Sequence, residues 1–191
     1  YNNFNQLVKI CKKHKIGTIK MEVFRNIPPK GNFLKKVRKL ADKENIVLIF
    51  DECTSGFRET FGGLHKKYKV TPDMCILGKA LGNGYPITAV LGKKEVMKYA
   101  TTSFISSTFW TDRVGFVAAL ETLNQMKKNK SWIKISEIGN HFKKEWKKIS
   151  KKHKLKVKIS GLAACPSFII VSNDWIKYKT FITQYMLENN F

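Results

Sequence analysis

The plainest signal along the chain is a set of short apolar runs, each stopped abruptly by polar residues. IVLIF, residues 46 to 50, is apolar at five successive positions and stops at Asp51 and Glu52. MCIL, residues 74 to 77, is a second such run and stops at Gly78 and Lys79. A strand with no polar face belongs in a parallel sheet covered by helices on both sides. IGTIKMEVF, residues 16 to 24, reads as a strand ending near Glu22 and Phe24, and ITAVLG, residues 87 to 92, as a further one. RNIPPKGN is a loop marked by Pro28, Pro29 and Gly31. FLKKVRKLADKEN then sets Leu34, Val37, Leu40 and Ala41 at helical spacing. This order of strand, helix and strand predicts an α/β fold with a mostly parallel sheet.

From Asp112 a long helix is predicted through Val114, Val117, Ala118, Leu120 and Leu123. After residue 130 the texture changes. Trp132, Ile135, Ile138, Phe142, Trp146 and Ile149 mark a second amphipathic helix. LKVKI alternates as a half-exposed strand should, SFIIV reads as its partner, and a last helix is predicted over residues 174–188. The expected organisation is therefore an α/β unit over residues 1–130 and a smaller α+β unit over residues 131–191. The opening YNNFNQLVKICKKHK has no initiator methionine and no signal-peptide layout, and FITQYMLENNF stops with its apolar face uncapped. An internal piece of a longer protein is the expectation.

Composition changes this picture little. The formal charge is +22, from 36 Lys and Arg against 14 Asp and Glu, which raises a polyanion-binding reading. Yet arginine occurs only at Arg25, Arg38, Arg58 and Arg113, and lysine is spread over nearly every polar stretch. No nucleic-acid motif accompanies the charge. Cys11, Cys53, Cys75 and Cys165 stand far apart, as reduced thiols of an intracellular protein would. CKKH at residues 11 to 14 offers one pair of metal ligands without a second, so no metal is expected. No run reaches the ~18 apolar residues of a membrane span.

Asp51 and Lys79 fall at the carboxyl ends of two different predicted strands, where open α/β sheets bind ligands. Spacing alone leaves two readings: a structural salt bridge, or an acid and an amine facing one crevice. Lys79 lies between an apolar run and Gly78, Gly82 and Gly84. An ammonium among apolar neighbours loses solvation, and a neutral amine attacks carbonyls to form a Schiff base. An acid nearby is what a pyridine nitrogen needs to stay protonated as an electron sink.

LIFDECTSGFR, YKVTPDMCILGKALGNGYPITAVLG and SSTFWTDRVGFVAAL together resemble the central block of class III pyridoxal-phosphate aminotransferases. The glutamate-1-semialdehyde aminomutase-like branch is the nearest in kind. The likeness extends upstream through MEVFRNIPPKGNFLKKVRKLAD, and the later part fits that family's small C-terminal domain in outline. The resemblance implies a fold-type I pyridoxal-phosphate transferase, with residues 1–130 the C-terminal half of its large domain. It implies Lys79 as the Schiff-base lysine and proton shuttle, and Asp51 as partner of the pyridinium nitrogen. Cys53 stands where a valine usually packs on the ring, and Thr54 where many members have a glutamine near the phenolic oxygen. Thr108 matches a threonine offered to the cofactor phosphate of the neighbouring subunit, which implies a homodimer. Glu22 matches an acidic position near the substrate.

The implied activity is amino transfer on a small amino or keto substrate in the cytoplasm, with no nucleic-acid or membrane partner. It is a transaminase or, alternatively, an aminomutase moving the group within one molecule. The family's phosphate loop and stacking aromatic lie upstream of this block, so the isolated chain is expected to bind cofactor weakly and to turn over nothing measurable. Arg58 is open as a structural or substrate-binding arginine, and Phe104, Phe109 and Trp110 are expected in the core or a dimer interface. From another class, a catalytically silent, basic polyanion-binding fragment would show binding that falls steeply with salt.

Overall fold

In the computed structural model every residue is described except Arg25, which heads the predicted loop, and Thr111, within SSTFWTDR. The elements run α1 (Phe4–Lys13), β1 (Thr18–Glu22), α2 (Phe33–Lys43), β2 (Val47–Asp51), α3 (His65–Tyr68), β3 (Met74–Leu77) and β4 (Ala89–Gly92). They continue with α4 (Lys94–Met97), α5 (Arg113–Asn129), α6 (Ser131–Lys152), β5 (Val157–Leu162), β6 (Cys165–Ile170) and α7 (Trp175–Glu188). Short 3-10 turns cover Lys79–Leu81 and Lys98–Thr102.

The first four strands form one sheet in the order β1-β2-β3-β4, and β5 and β6 form a separate antiparallel pair. β1, β2 and β3 run parallel, with Glu22 opposite Asp51 and Asp51 opposite Ile76. β4 returns antiparallel along β3. Only residues 78–88 join those two strands, which is short of the dozen or more that a parallel crossover needs.

The sheet is covered unequally. Leu48 and Phe50 are fully buried with Phe33, Leu34, Val37 and Ala41 of α2. On the same face of β3, Cys75 and Leu77 pack with Ala119 of α5. On the opposite face Ile49, Asp51, Met74 and Ile76 are only half-buried, and Val90 is exposed. The expectation of strands buried on both faces is thus met on one face, because α2 and α5 pack there. The half-open face is the one that carries Asp51.

Three helices escaped the sequence reading: α1 and the single turns α3 and α4. α1 begins at Asn3, whose side chain accepts from the Gln6 amide at 3.0 Å, and Phe4, Leu7 and Cys11 pack on the main core. Asp73 ties the sheet together. Its carboxylate accepts from the Leu48 amide at 2.8 Å and from Arg38 at 2.8 Å, and pairs with Lys93 at 2.7 Å. Burial alone would raise its carboxyl, but the Leu48 amide, then Lys93 and Arg38, outweigh it and hold it below 3.8.

The second unit rests on the first. Leu162 of β5 belongs to the main core, and the Ala163 amide donates to Glu59 Oε1 at 2.6 Å. α6 approaches the β5–β6 turn so closely that a Cβ at Gly139 would lie 1.6 Å from the Ala163 oxygen.

Two outcomes follow from this packing. Gly139→Ala should cost about 2–3 kcal/mol in urea unfolding, by forcing α6 away from the turn. Asp73→Asn should cost about 2 kcal/mol at neutral pH, since it removes a charge that three donors answer. Because the folded carboxyl titrates below its ordinary value, the wild type's advantage is whole above that value. It disappears as pH falls through the depressed one. Unfolding curves of both chains from pH 7 to pH 2 check the sign.

Candidate functional site

β2 and β3 end side by side, and the residues beyond those ends make the site. Asp51 closes β2 with its side chain 28% exposed. Its Oδ1 accepts from the Cys53 amide at 3.2 Å, an Asx turn that swings the chain off the sheet. Its Oδ2 pairs with Lys20 of β1 at 3.1 Å. Burial pushes the Asp51 carboxyl up, but the Lys20 ammonium and then the Cys53 amide win and hold it low. Asp51 therefore stands ionised at the sheet edge.

Lys79 follows β3 after Gly78 and opens a 3-10 turn with φ 45°. A non-glycine residue in this left-handed region is uncommon and is held there by its surroundings. Gly78 allows the approach, since a Cβ there would stand 3.2 Å from Thr88 Cγ2 and 3.3 Å from Cys53 Sγ. Gly82 closes the turn, where a Cβ would lie 2.1 Å from the Tyr85 oxygen. The Lys79 ammonium donates to Thr54 Oγ1 at 2.8 Å.

Two expectations need correcting. Lys79 is exposed, not desolvated by apolar neighbours, because its turn lifts it off the strand end. Nor do Asp51 and Lys79 form a salt bridge, since the carboxylate is answered by Lys20 and the amine by Thr54.

Cys53 lies between the two groups. Burial and then Asp51 push its thiol up, while Lys79 and Lys20 pull it down. The structure thus gathers Asp51, Cys53, Thr54 and Lys79 around one strand-end notch. Glu22 joins them at the end of β1, in register with Asp51. Thr108 does not join: it is exposed on the stretch ahead of α5, and among the described residues no hydrogen bond links it to the others. Phe104, Phe109 and Trp110 are 96%, 49% and 60% exposed, so they are no part of this chain's core.

Sequence reasoning missed Lys20 and the role of Glu52. Lys20 was one lysine among many, and only strand register reveals it beside Asp51. Glu52 is fully buried, and His65 Nδ1 lies 2.6 Å from its Oε1, with Cys75 Sγ at 4.0 Å. Carboxylate, imidazole and thiol are metal-ligand types, and here the first two are hydrogen-bonded to each other. Burial, then Glu52, pushes the Cys75 thiol up to about 12, which keeps it protonated. A cavity of about 770 Å³ adjoins the lysine turn, lined by Lys79, Arg58, Asn83, Tyr85, Glu121 and Gln125 among others. Arg58 Nε is buried there without an acceptor among the described residues.

The family described as "Aminotransferase class-III" matches residues 26–183. A 3-aminobutyryl-CoA aminotransferase of Cloacimonas acidaminovorans is 36% identical over 161 residues, 84% of this chain and 39% of that protein. A glutamate-1-semialdehyde 2,1-aminomutase of Ignicoccus hospitalis is 43% identical over 105 residues, 53% of this chain and 25% of that protein. Among solved structures, the FumI protein of Sphingopyxis sp. MTA144, described in its PLP internal aldimine form, superposes with TM-score 0.84 at 26% identity. The match covers 91% of this chain and 44% of that one. An ornithine aminotransferase of Plasmodium yoelii gives TM-score 0.77 at 26% identity, over 89% and 47%. The chain thus spans less than half the length of these relatives.

The Asp51–Cys53 contact is directly testable. Asp51→Asn keeps an acceptor oxygen but removes the charge that helps raise the thiol, so alkylation of Cys53 by iodoacetamide at pH 8 should quicken about threefold. An unchanged rate would place Cys53 elsewhere.

Proposed function

This chain belongs to the class III aminotransferases, and from that premise we propose that it carries the lysine and acid of a pyridoxal-phosphate amino-transfer site. The observation that carries the reading is the pairing of two strand ends. One presents an ionised Asp51, the other a strained, hydrogen-bonded Lys79. When bound, the cofactor supplies an electron sink for bonds at the substrate's amino-bearing carbon. Asp51 would accept a hydrogen bond from the ring N–H and so keep that nitrogen protonated. Lys79 would hold the cofactor through its amine and, when free, would move a proton between donor and acceptor carbons. Cys53 would border the ring, Thr54 would orient the amine, and Glu22 would lie on the substrate side.

Transaminase chemistry on a small amino or keto substrate is the primary assignment. Transfer within one molecule, as in the aminomutases it resembles, uses the same residues and differs only in how long the intermediate is kept. Residues 1–130 are read as the C-terminal half of the large domain and residues 131–191 as part of the small one. Their separate sheets and the left-handed Lys130 between α5 and α6 support that division. The reading includes a homodimer in which Thr108 reaches the neighbouring subunit's cofactor. The exposed Phe104, Phe109, Trp110, Val117 and Leu120 support it. No helix among the described residues is long and apolar enough to cross a membrane. A cytoplasmic setting belongs to the same reading, supported by four free thiols.

Borohydride trapping tests the assignment without requiring turnover. With pyridoxal phosphate titrated far enough to fill even a weak site, the chain should show a band near ~420 nm and, once reduced, a covalent adduct enriched on Lys79 over the other lysines. Lys79→Ala should lose both. Adducts spread evenly over the surface lysines would refute the reading.

A further inference from the structure

The segment from Glu52 to His65 leaves the sheet at β2 and comes back to it, and one side chain holds both of its ends. Glu52 is 0% exposed. Its Oε2 accepts from Ser55 Oγ at 3.1 Å, at the start of the loop, and from the Leu64 amide at the end. Its Oε1 accepts from the His65 amide at 3.1 Å and bonds His65 Nδ1 at 2.6 Å. The backbone of the same residue is also used. Its amide donates to the Ile76 oxygen at 2.8 Å, and its carbonyl accepts from Gly56 at 2.8 Å.

The loop is wrapped around this carboxylate without slack. A Cβ at Gly63 would stand 2.4 Å from His65 Nδ1 and 2.8 Å from Glu52 Oε1. One at Gly56 would stand 2.7 Å from Leu77 Cδ2 and 2.8 Å from the Glu52 oxygen. Thr54 sits inside the turn so fixed, between Glu52 and Ser55, and its Oγ1 is the acceptor for Lys79.

We propose that Glu52 is a positioning residue for Lys79, acting through Thr54. The proposal rests on the reading of Lys79 as the reactive amine. Ser55 Oγ, the Leu64 and His65 amides and, with Nδ1 protonated, the His65 ring converge on the carboxylate alongside the Cys75 thiol, a set that an acceptor-only group satisfies. An amide of the same shape would turn its own N–H groups toward donors and break at least one of these bonds. The turn would then relax, and Thr54 would no longer meet an amine whose backbone is pinned in the left-handed region. Stability alone would not need Thr54; placement of the lysine does.

Competitive acylation reads this directly. Trace acetic anhydride labels the lysines of the folded chain, and mass spectrometry compares Lys79 with exposed Lys128 and Lys151 in the same sample. Thr54→Val frees the amine and should raise relative labelling of Lys79 about threefold. Glu52→Gln should raise it by a similar factor, and the double variant by no more than either single change, since both act through one contact. Ser55→Ala, which loses a single bond to Oε2, should shift labelling the same way by less, and it carries the test if Glu52→Gln does not fold. An effect of Thr54→Val with none from Glu52→Gln or Ser55→Ala overturns the proposal, as does a double variant whose effect is the product of the singles. So does an unchanged Lys79 in Thr54→Val. Failure of pyridoxal phosphate to mark Lys79 would sink the functional reading while leaving this acylation result to stand or fall by itself.

Discussion

The charge of Glu52, sealed from water beside the sheet, is what the carboxyl edge of this fold is arranged to satisfy. A buried carboxylate without partners would be far too costly, so the chain must bring donors to it. Those donors come from residues three, twelve and thirteen positions downstream. The loop that supplies them is therefore closed by electrostatics as much as by packing. Its closure fixes where Cys53 and Thr54 stand, next to the end of β3 where Lys79 begins. Asp51, one residue earlier, faces the other way and pairs with Lys20. Two adjacent acids thus divide the work by direction: alternation along the strand sends one to the core and the other to the half-open face.

The same loop carries the link to the second unit. Glu59 accepts from the Ala163 amide and pairs with Lys67 at 2.7 Å, while the Arg58 carbonyl accepts from Ser136 of α6 at 3.4 Å. Leu162, 1% exposed, closes the core from the far side. The β5–β6 pair is therefore seated on residues whose positions descend from Glu52. A site at the strand ends and a docking surface for the second unit share one scaffold.

What could be read from the sequence follows from the range of the forces involved. IVLIF and MCIL announced their strands because burial on the covered face is local information. The registered pairs of β1, β2 and β3 then set Glu22 and Asp51 level, which no local pattern announces. α1 was hidden because Lys9, Lys12 and Lys13 interrupt the eye, although Phe4, Leu7 and Cys11 keep the helical spacing. The antiparallel return of β4 follows from the length of its connection, a quantity visible in the sequence and left unused. Glu52 was named at the end of its run but given no role, because its partners arrive only when the loop closes. The exposure of Lys79 was misjudged for a related reason: a 3-10 turn lifts it off an apolar strand whose sequence suggested burial.

In a chain with 36 Lys and Arg, charge cannot single out one lysine. Exposure cannot either, since Lys79 shares it with most of the others. What separates Lys79 is constraint. Its φ is in a region that costs a side-chain-bearing residue of order 1 kcal/mol or more, which Lys69, Lys130 and Lys154 share, but its Nζ is in addition given one acceptor in a loop held by a buried charge. Surface lysines sample many rotamers, and an amine that must meet a carbonyl in one orientation gains little from such freedom. Fixing the backbone before the residue and the hydroxyl beside its head leaves the amine few ways to point. The order imposed on Lys79, rather than its environment's polarity, is the physical ground for assigning it the reactive role.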